Sequence, residues 1–235
     1  MAIVATLNEE EGVGPTLEEL HQYLGKIPVL VVDGNSRDRT VEIAGDFGAD
    51  VIFQRGKGKG DALAEAIRHV SMDSGFSDDL KYVIITDADY TYPAQFLLGM
   101  LDFLDRNPDV GMVCGNRFNS HNRALEAMKN TFYFGNRALA FSHNLLNGVN
   151  LRDPLTGLRI VRWNVLRNWK PTSKGFDIEV ELNHLVERRG YGIKEVDISY
   201  RPRLGEKKLK LRHGLSILAR ILSESWRDFE IRNLI

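Results

Sequence analysis

Only one cysteine, Cys114, occurs among the 235 residues. The chain therefore has no intramolecular disulfide and no thiolate cluster for a metal, which points to a reducing compartment and to Cys114 as a small buried hydrophobe. Excess charge of one sign is lacking too: 31 basic residues against 32 acidic ones leave a formal net charge of -1. Without a basic surplus there is no global field for a polyanion, and no nucleic-acid partner is expected. Long apolar runs are also missing. The longest C-terminal one, Leu215 to Leu222, contains Arg220, so neither a secretory leader nor a spanning helix is expected, and the chain is read as soluble or lying on a membrane. What is present is a hydrophobic content of 43%, enough for one substantial core.

Short β-rich runs alternate with helical patterns through the first half. The runs are Ile3 to Leu7, Val29 to Val32, Asp50 to Phe53, Tyr82 to Thr86 and Val110 to Val113, with helical spacing over 15–25, 40–48, 61–70 and 93–106 between them. This order predicts an α/β fold with a mostly parallel central sheet flanked by helices in a single domain. Beyond it, a helix is expected around Ala124 to Leu146, a polar loop from Asn147 to Gly157, a helix from about Asp177 to Arg189 and a strand from Ile193 to Tyr200. Residues 1–212 are read as the domain. Residues 213–235 are read as an amphipathic helix packing on the domain, a partner or a membrane surface.

In parallel sheets ligands bind beyond the carboxyl ends of the strands, and four polar clusters follow strands here. They begin at Asn8, Asp33, Gln54 and Asp87. Asp87-Ala88-Asp89 puts hard oxygen ligands at the end of an apolar strand, where a divalent ion can hold a diphosphate. Asp33 ends a buried-looking strand and is a candidate for ribose or base, whereas Ser36 and Asp38 are better read as helix caps. In Gly56-Lys57-Gly58-Lys59-Gly60, Lys59 at a helix start is a candidate anion contact; the glycines alone fit a solvated loop. The segment Asp87 to Thr91 also matches the start of haloacid-dehalogenase-type phosphatases. That family requires a later acidic pair, which is absent, and places the motif on its first strand, whereas three strands precede it here.

Taken in order, Thr6-Leu7-Asn8-Glu9-Glu10, Val31 to Thr40, Gly58-Lys59-Gly60 and Asp87-Ala88-Asp89 resemble the motifs of family 2 glycosyltransferases with the GT-A fold. The later segments Gly115-Asn116-Arg117-Phe118, Asp153 to Arg159, Gly175 to Glu181 and Tyr200 to Leu209 resemble the polyprenyl-phosphate (dolichyl-phosphate) hexose synthases, archaeal ones in particular. Thr6-Leu7 stands where the family usually has Pro and Tyr, Thr91 where mannose-transferring relatives often carry Gln, and Lys207 replaces a common Ser.

The resemblance implies an inverting, metal-dependent hexosyltransferase that moves a hexose from a nucleotide sugar to polyprenyl or dolichyl phosphate, for protein N-glycosylation or cell-surface glycan synthesis. UDP-glucose is the favoured donor, with other UDP- or GDP-hexoses behind it. Asp87 and Asp89 would hold Mg²⁺ or Mn²⁺. Thr6, Leu7, Asn8, Glu10, Asp33, Lys59, Asp87 and Ala88 would hold the nucleotide sugar. Arg117, Arg203, Lys207 and Lys208 would face the acceptor phosphate, supplying guanidinium forks and ammonium charges. A phosphate monoester is largely dianionic at neutral pH and needs no base; if the acceptor is a hydroxyl instead, Asp177 or Glu179 is the candidate base beside Asp89 and Arg117. A GT-A domain that binds sugar nucleotide without turnover is the non-catalytic alternative. Leu215, Leu218, Leu222 and Phe229 recur at helical spacing; the stripe is read first as packing or a homodimer contact and next as a membrane face. The expected location is the cytoplasm, at the cytoplasmic face of the cell membrane.

Overall fold

The structure, a computed structural model, describes residues 1–118, 131–147, 150–208, 210 and 213–233. The apolar runs form β1 (Ala2–Thr6), β2 (Val29–Asp33), β3 (Asp50–Phe53), β4 (Tyr82–Asp87) and β5 (Val110–Asn116), and two further strands, β6 (Arg159–Arg162) and β7 (Gly192–Asp197), complete a seven-stranded sheet. Its order is β3-β2-β1-β4-β6-β5-β7. β6 runs antiparallel to β4 and β5, and every pairing that lacks β6 is parallel.

Alternate residues of the central strands point to opposite faces, and both faces are buried. Val4, Val29 and Val31 join one core with Leu17 and Leu20 of α1 (Val13–Leu24), Ala44 of α2 (Thr40–Asp46) and Met100 and Leu104 of α5 (Leu97–Arg106). Ile3, Leu30 and Val32 join the other with Leu63, Ala66 and Ile67 of α3 (Lys59–Met72). A short α4 (Ser74–Asp79) follows α3, and one turn, α7 (Trp163–Leu166), follows β6. Ile178, Leu182 and Val186 of α8 (Ile178–Arg188) close the second core.

One strand was not anticipated, and another ends earlier than expected. The segment 159–162 shows no strand alternation because both its ends are arginines, yet it inserts between β4 and β5. Arg159 is fully buried there because its guanidinium donates to Thr156 O at 2.8 Å, Asn183 Oδ1 at 2.6 Å and Pro154 O at 2.6 Å. The strand expected to reach Tyr200 stops at Asp197. From Ile198 the chain turns off the sheet and crosses its edge, with Arg201 N donating to Thr91 O at 3.0 Å and Leu204 N to Asp89 O at 3.1 Å.

The remaining helices are α6 (Thr131–Asn147) and α9 (His213–Asn233); residues 124–130 of the helix expected from Ala124 lie outside the described residues. Ile217 and Ile221 of α9 pack on Val180, with Leu139 and Phe176 beside them. The inward side of α9 is otherwise ionic. Arg220 pairs with Asp177 at 3.1 Å and Glu224, Arg188 pairs with Glu224 at 2.7 Å, and Asp228 meets His184 Nδ1 at 2.6 Å. The outward side carries Leu215, Leu222, Trp226 and Phe229, all exposed, and Phe141 and Leu145 of α6 are exposed as well. This helix is inverted relative to a domain-packing one, with charge inside and apolar side chains outside. No helix among the described residues is long and apolar enough to cross a membrane.

Candidate active site

Because β1 to β5 and β7 point the same way, the residues that follow them gather on one sheet edge, joined there by the loop that enters antiparallel β6. They rim a cleft of about 730 Å³. Thr6, Leu7, Ala88, Asp87, Asp89, Lys59, Arg117, Glu179, Arg203, Lys207 and Lys208 all line it. Asn8, Glu10, Asp33 and Asp177, also expected at the site, do not.

These four sit around the cleft in structural roles. Asp33 is fully buried and accepts from Thr6 Oγ1 at 2.8 Å, Ser36 N at 2.7 Å and Ser36 Oγ at 2.6 Å, so it fixes the turn that carries Gly34 to the rim. Asn8 adopts a left-handed φ of 50° and accepts from Arg37 N at 2.8 Å, which turns the next side chain inward. That side chain is Glu9, buried in the cleft wall, whereas Glu10 is exposed and accepts from Arg39 N at 3.1 Å. Asp177 accepts from Gly175 N at 3.2 Å and from Arg220 Nε at 3.1 Å.

The acidic centre lies at the end of β4. Asp87 Oδ1 accepts from Lys59 Nζ at 2.6 Å, and the same ammonium reaches Glu179 Oε1 at 2.8 Å. Burial works against the Lys59 charge, yet the two carboxylates outweigh it and raise its pKa. In return, although burial opposes it, Lys59 holds the Asp87 carboxyl below the usual range. Lys59 therefore anchors carboxylates rather than waiting for an anion. The amides expected to bind an anion at the start of α3 are also engaged, since Gly60 N and Asp61 N donate to Lys174 O at 3.0 and 3.3 Å. Gly157 lies so close to the Asp87 carboxylate that a Cβ would collide with it.

Asp89 has a different environment. Burial and the neighbouring Asp87 charge push its carboxyl up, while Thr91 N and Oγ1 donate to its Oδ1 at 3.1 and 2.5 Å and Arg203 Nη1 donates to Oδ2 at 2.7 Å. A cation between two mutually repelling carboxylates, Asp89 buried and Asp87 partly so, relieves that repulsion, so the donor set fits a hard divalent ion. No cluster of three or more acidic, His or Cys side chains that could hold a metal occurs among the described residues. Two protein carboxylates with the remaining positions filled by diphosphate oxygens and water is the usual arrangement for Mg²⁺ with nucleotides.

Opposite the acids stand the cations. Arg117 forks onto Asp153 through Nε and Nη2 at 2.6 and 2.8 Å and lies 5.4 Å from the Tyr200 ring centroid. Lys208 Nζ donates to Asn8 O at 3.0 Å. Burial and the nearby charges of Arg203 and Arg117 lower the Lys207 pKa, so the cations crowd one region. Tyr92, whose hydroxyl accepts from Gly157 N at 2.7 Å, packs edge-on against Tyr200 beneath them.

Residues 1–169 match the family model described as Glycosyl transferase family 2. The chain belongs to that family. This glycosyltransferase is 36% identical over 208 residues to a "Dolichyl-phosphate hexose transferase" of Haloferax volcanii, covering 88% of this chain and 85% of that one. It is 34% identical to "Glycosyltransferase AglJ" of the same organism over 86% of this chain, but spans only 62% of that relative's length. Glucosyl-3-phosphoglycerate synthase from Mycobacterium tuberculosis, solved with Mn²⁺, UDP-glucose and phosphoglyceric acid, superposes with a TM-score of 0.72 at 19% identity, over 95% of this chain and 78% of that one. The likeness shows the same GT-A fold.

Among the residues that the sequence reading of the site missed, three matter most: Glu9 and Tyr92 line the glycosyltransferase cleft, and Asp153 lies behind it and holds Arg117. Glu9 is the most consequential: burial pushes its carboxyl up to about 7 against the pull of Arg203 and Lys208, and Arg203 Nη2 donates to its Oε1. Asp153 and Tyr92 are the others. Asp153 lay inside a quoted motif, yet its partner Arg117 is distant in sequence; Tyr92 follows the acidic turn with no polar pattern of its own.

Proposed function

We propose that this glycosyltransferase moves a hexose, with UDP-glucose as favoured donor, to the phosphate of a polyprenyl or dolichyl lipid with inversion at the anomeric carbon. The observation that carries the reading is the meeting, in one cleft, of the Asp87/Asp89 pair with Arg117, Arg203, Lys207 and Lys208. Asp87 and Asp89 would hold Mg²⁺ or Mn²⁺, and the ion supplies Lewis-acid charge for the departing nucleoside diphosphate. Lys59 keeps Asp87 ionised and fixed in orientation. The two carboxylates considered as bases, Asp177 and Glu179, are each ion-paired, with Arg220 and Lys59. This favours an acceptor that arrives already nucleophilic, and a phosphate monoester does. Arg117 and the loop cations would neutralise and orient it.

The lipid part of the acceptor is supported by the exposed apolar side chains of α6 and α9. His213 and Ile217 of α9 and Asn136 of α6 line the cleft, while the outer faces of the same helices display Leu215, Leu222, Trp226, Phe141 and Leu145. Laid on a membrane surface, those faces would bring a lipid phosphate to the cleft mouth, with the loop cations near anionic headgroups. The name of the Haloferax relative agrees with such an acceptor. In this reading the protein works at the cytoplasmic face of the membrane and supplies lipid-linked hexose for glycan assembly.

The test is transfer of label from radiolabelled UDP- or GDP-hexoses into the organic phase, with polyprenyl phosphate and Mg²⁺ or Mn²⁺ present. Label from UDP-glucose that requires the metal and disappears in Asp89→Asn is expected. Free labelled hexose without lipid product would overturn the acceptor; lipid product from a GDP-hexose alone would overturn the donor.

A further inference from the structure

Three arginines line the cleft, each on a carboxylate, and they meet those carboxylates in two ways. Arg117 places two nitrogens on the two oxygens of Asp153, and Arg201 places both Nη atoms on Glu19 at 2.8 and 2.6 Å. Each sets a two-pronged fork on a single carboxylate. Arg203 instead divides its terminal nitrogens, Nη1 on Asp89 Oδ2 at 2.7 Å and Nη2 on Glu9 Oε1. One guanidinium thus joins the residues that follow β1 and β4. The joint is also incomplete, because Arg203 Nε and Glu9 Oε2 are both buried without a hydrogen-bond partner among the described residues. Leaving a buried donor and a buried acceptor unused costs free energy that a purely structural ion pair avoids.

We propose that Glu9 and Arg203 form a donor-sensing latch. Arg203 donates to the same Asp89 carboxylate that would hold the cation; arrival of the divalent cation with the nucleoside diphosphate displaces Arg203 from Asp89, and Glu9 retains it so that the released nitrogen faces the acceptor phosphate. The inference rests on the proposed reading that Asp89 holds the metal and that Arg203 faces the acceptor. The backbone that carries Arg203 is fixed on both sides, by Arg201 N to Thr91 O and Leu204 N to Asp89 O, so the side chain rather than the loop changes position. Glu9 acts through Arg203 and is a positioning residue. Two consequences follow: Arg203 competes with the metal for Asp89, and the acceptor site is complete only after the donor has bound.

Mn²⁺ binding to the nucleotide-free protein, followed by the electron paramagnetic resonance of the free ion, separates these ideas. Arg203→Gln is expected to bind Mn²⁺ about tenfold more tightly than the wild type, the factor carried by one charge-assisted hydrogen bond. Lys207→Gln, which removes another cation lining the cleft, controls for charge and is expected to change the affinity by less than about threefold, the scale of a charge interaction through solvent. Equal tightening in both variants, or none in Arg203→Gln, overturns the latch. Unchanged Mn²⁺ binding in Asp89→Asn would instead remove the metal assignment beneath it. A second measurement addresses Glu9: calorimetric binding of a short-chain polyprenyl phosphate with and without UDP and Mn²⁺. Wild type is expected to gain affinity when UDP and Mn²⁺ are present, and Glu9→Gln to lose that gain; an undiminished gain in Glu9→Gln overturns its positioning role.

Discussion

Replacing Lys59 with methionine keeps most of the side chain's shape and removes its charge, leaving Asp87 and Glu179 facing each other. Lys59 lies 2.6 Å from one carboxylate and 2.8 Å from the other, with only 12% of its side chain exposed. Removing one partner of a buried ion pair costs about 3–5 kcal/mol, since it strands an uncompensated charge. Asp87 retains 32% side-chain exposure, which places the loss near the lower end, about 3 kcal/mol. For a chain of this length that corresponds to a fall in Tm of roughly 6–12 °C. The pH dependence supplies a sharper check. Without Lys59 the Asp87 carboxyl loses the charge that holds it low and, facing Glu179, takes up a proton in the folded protein at a pH where the unfolded chain is still ionised. The folded variant then binds more protons than the unfolded one, and its stability rises as pH falls. Melting followed by circular dichroism between pH 5 and pH 8 should show the gap to wild type narrowing toward pH 5. A shift below about 2 °C, under one kcal/mol by the same scaling, or a gap independent of pH, would refute the ion-pair account of Lys59.

Gly157→Ala should push the Asp87 carboxylate aside; kcat/KM is expected to fall about 100-fold, the usual cost of a misplacement near one ångström, and the melting temperature to fall by no more than in the Lys59→Met variant. His143, fully buried among α6, α8 and α9, is pushed down to about 4 by burial and by the neighbouring His184, and the group shares this interior with Asp228, Arg188, Glu224 and Arg159. Since the unfolded side chain titrates near 6.5, stability should fall as pH drops from about 6.5 to 4, by up to about 3 kcal/mol from His143; denaturant titrations should show His143→Asn flattening that decline. Leu222→Glu with Trp226→Glu changes only the exposed face of α9. Flotation with anionic vesicles should show binding weakened about tenfold or more, from the lost apolar burial, with the fold unaffected.

Much of the fold was legible because the strands of the first half are continuous apolar runs followed at once by polar clusters, and parallel pairing puts those clusters on one edge. The acidic turn and the basic loop were legible for the same reason. What escaped was decided by tertiary partners. Glu9 and Glu10 are adjacent and chemically identical in sequence; the left-handed turn at Asn8 sends one into the cleft and the other to Arg39. Lys59 at a glycine-rich helix start suggests an anion site, but Glu179, 120 positions along the chain, claims its charge, and Lys174 O claims the helix amides. Strand β6 hid behind arginines whose burial depends on carbonyl oxygens elsewhere. In α9 the apolar period was visible, but period alone does not say which side faces inward. The side that packs is set by Ile217, Ile221 and the ion pairs to α8, and the leucine stripe faces out.

The central claim is that the cleft serves a phosphate nucleophile. It is tested most directly by offering the enzyme two lipids that differ in that group alone, a polyprenyl phosphate and the corresponding polyprenol, with the same labelled nucleotide sugar and Mn²⁺. The account predicts labelled lipid from the phosphate, none from the alcohol, and loss of product when Arg117 and Lys207 are both replaced by glutamine. Efficient labelling of the alcohol, or undiminished labelling of the phosphate in that double variant, would contradict it.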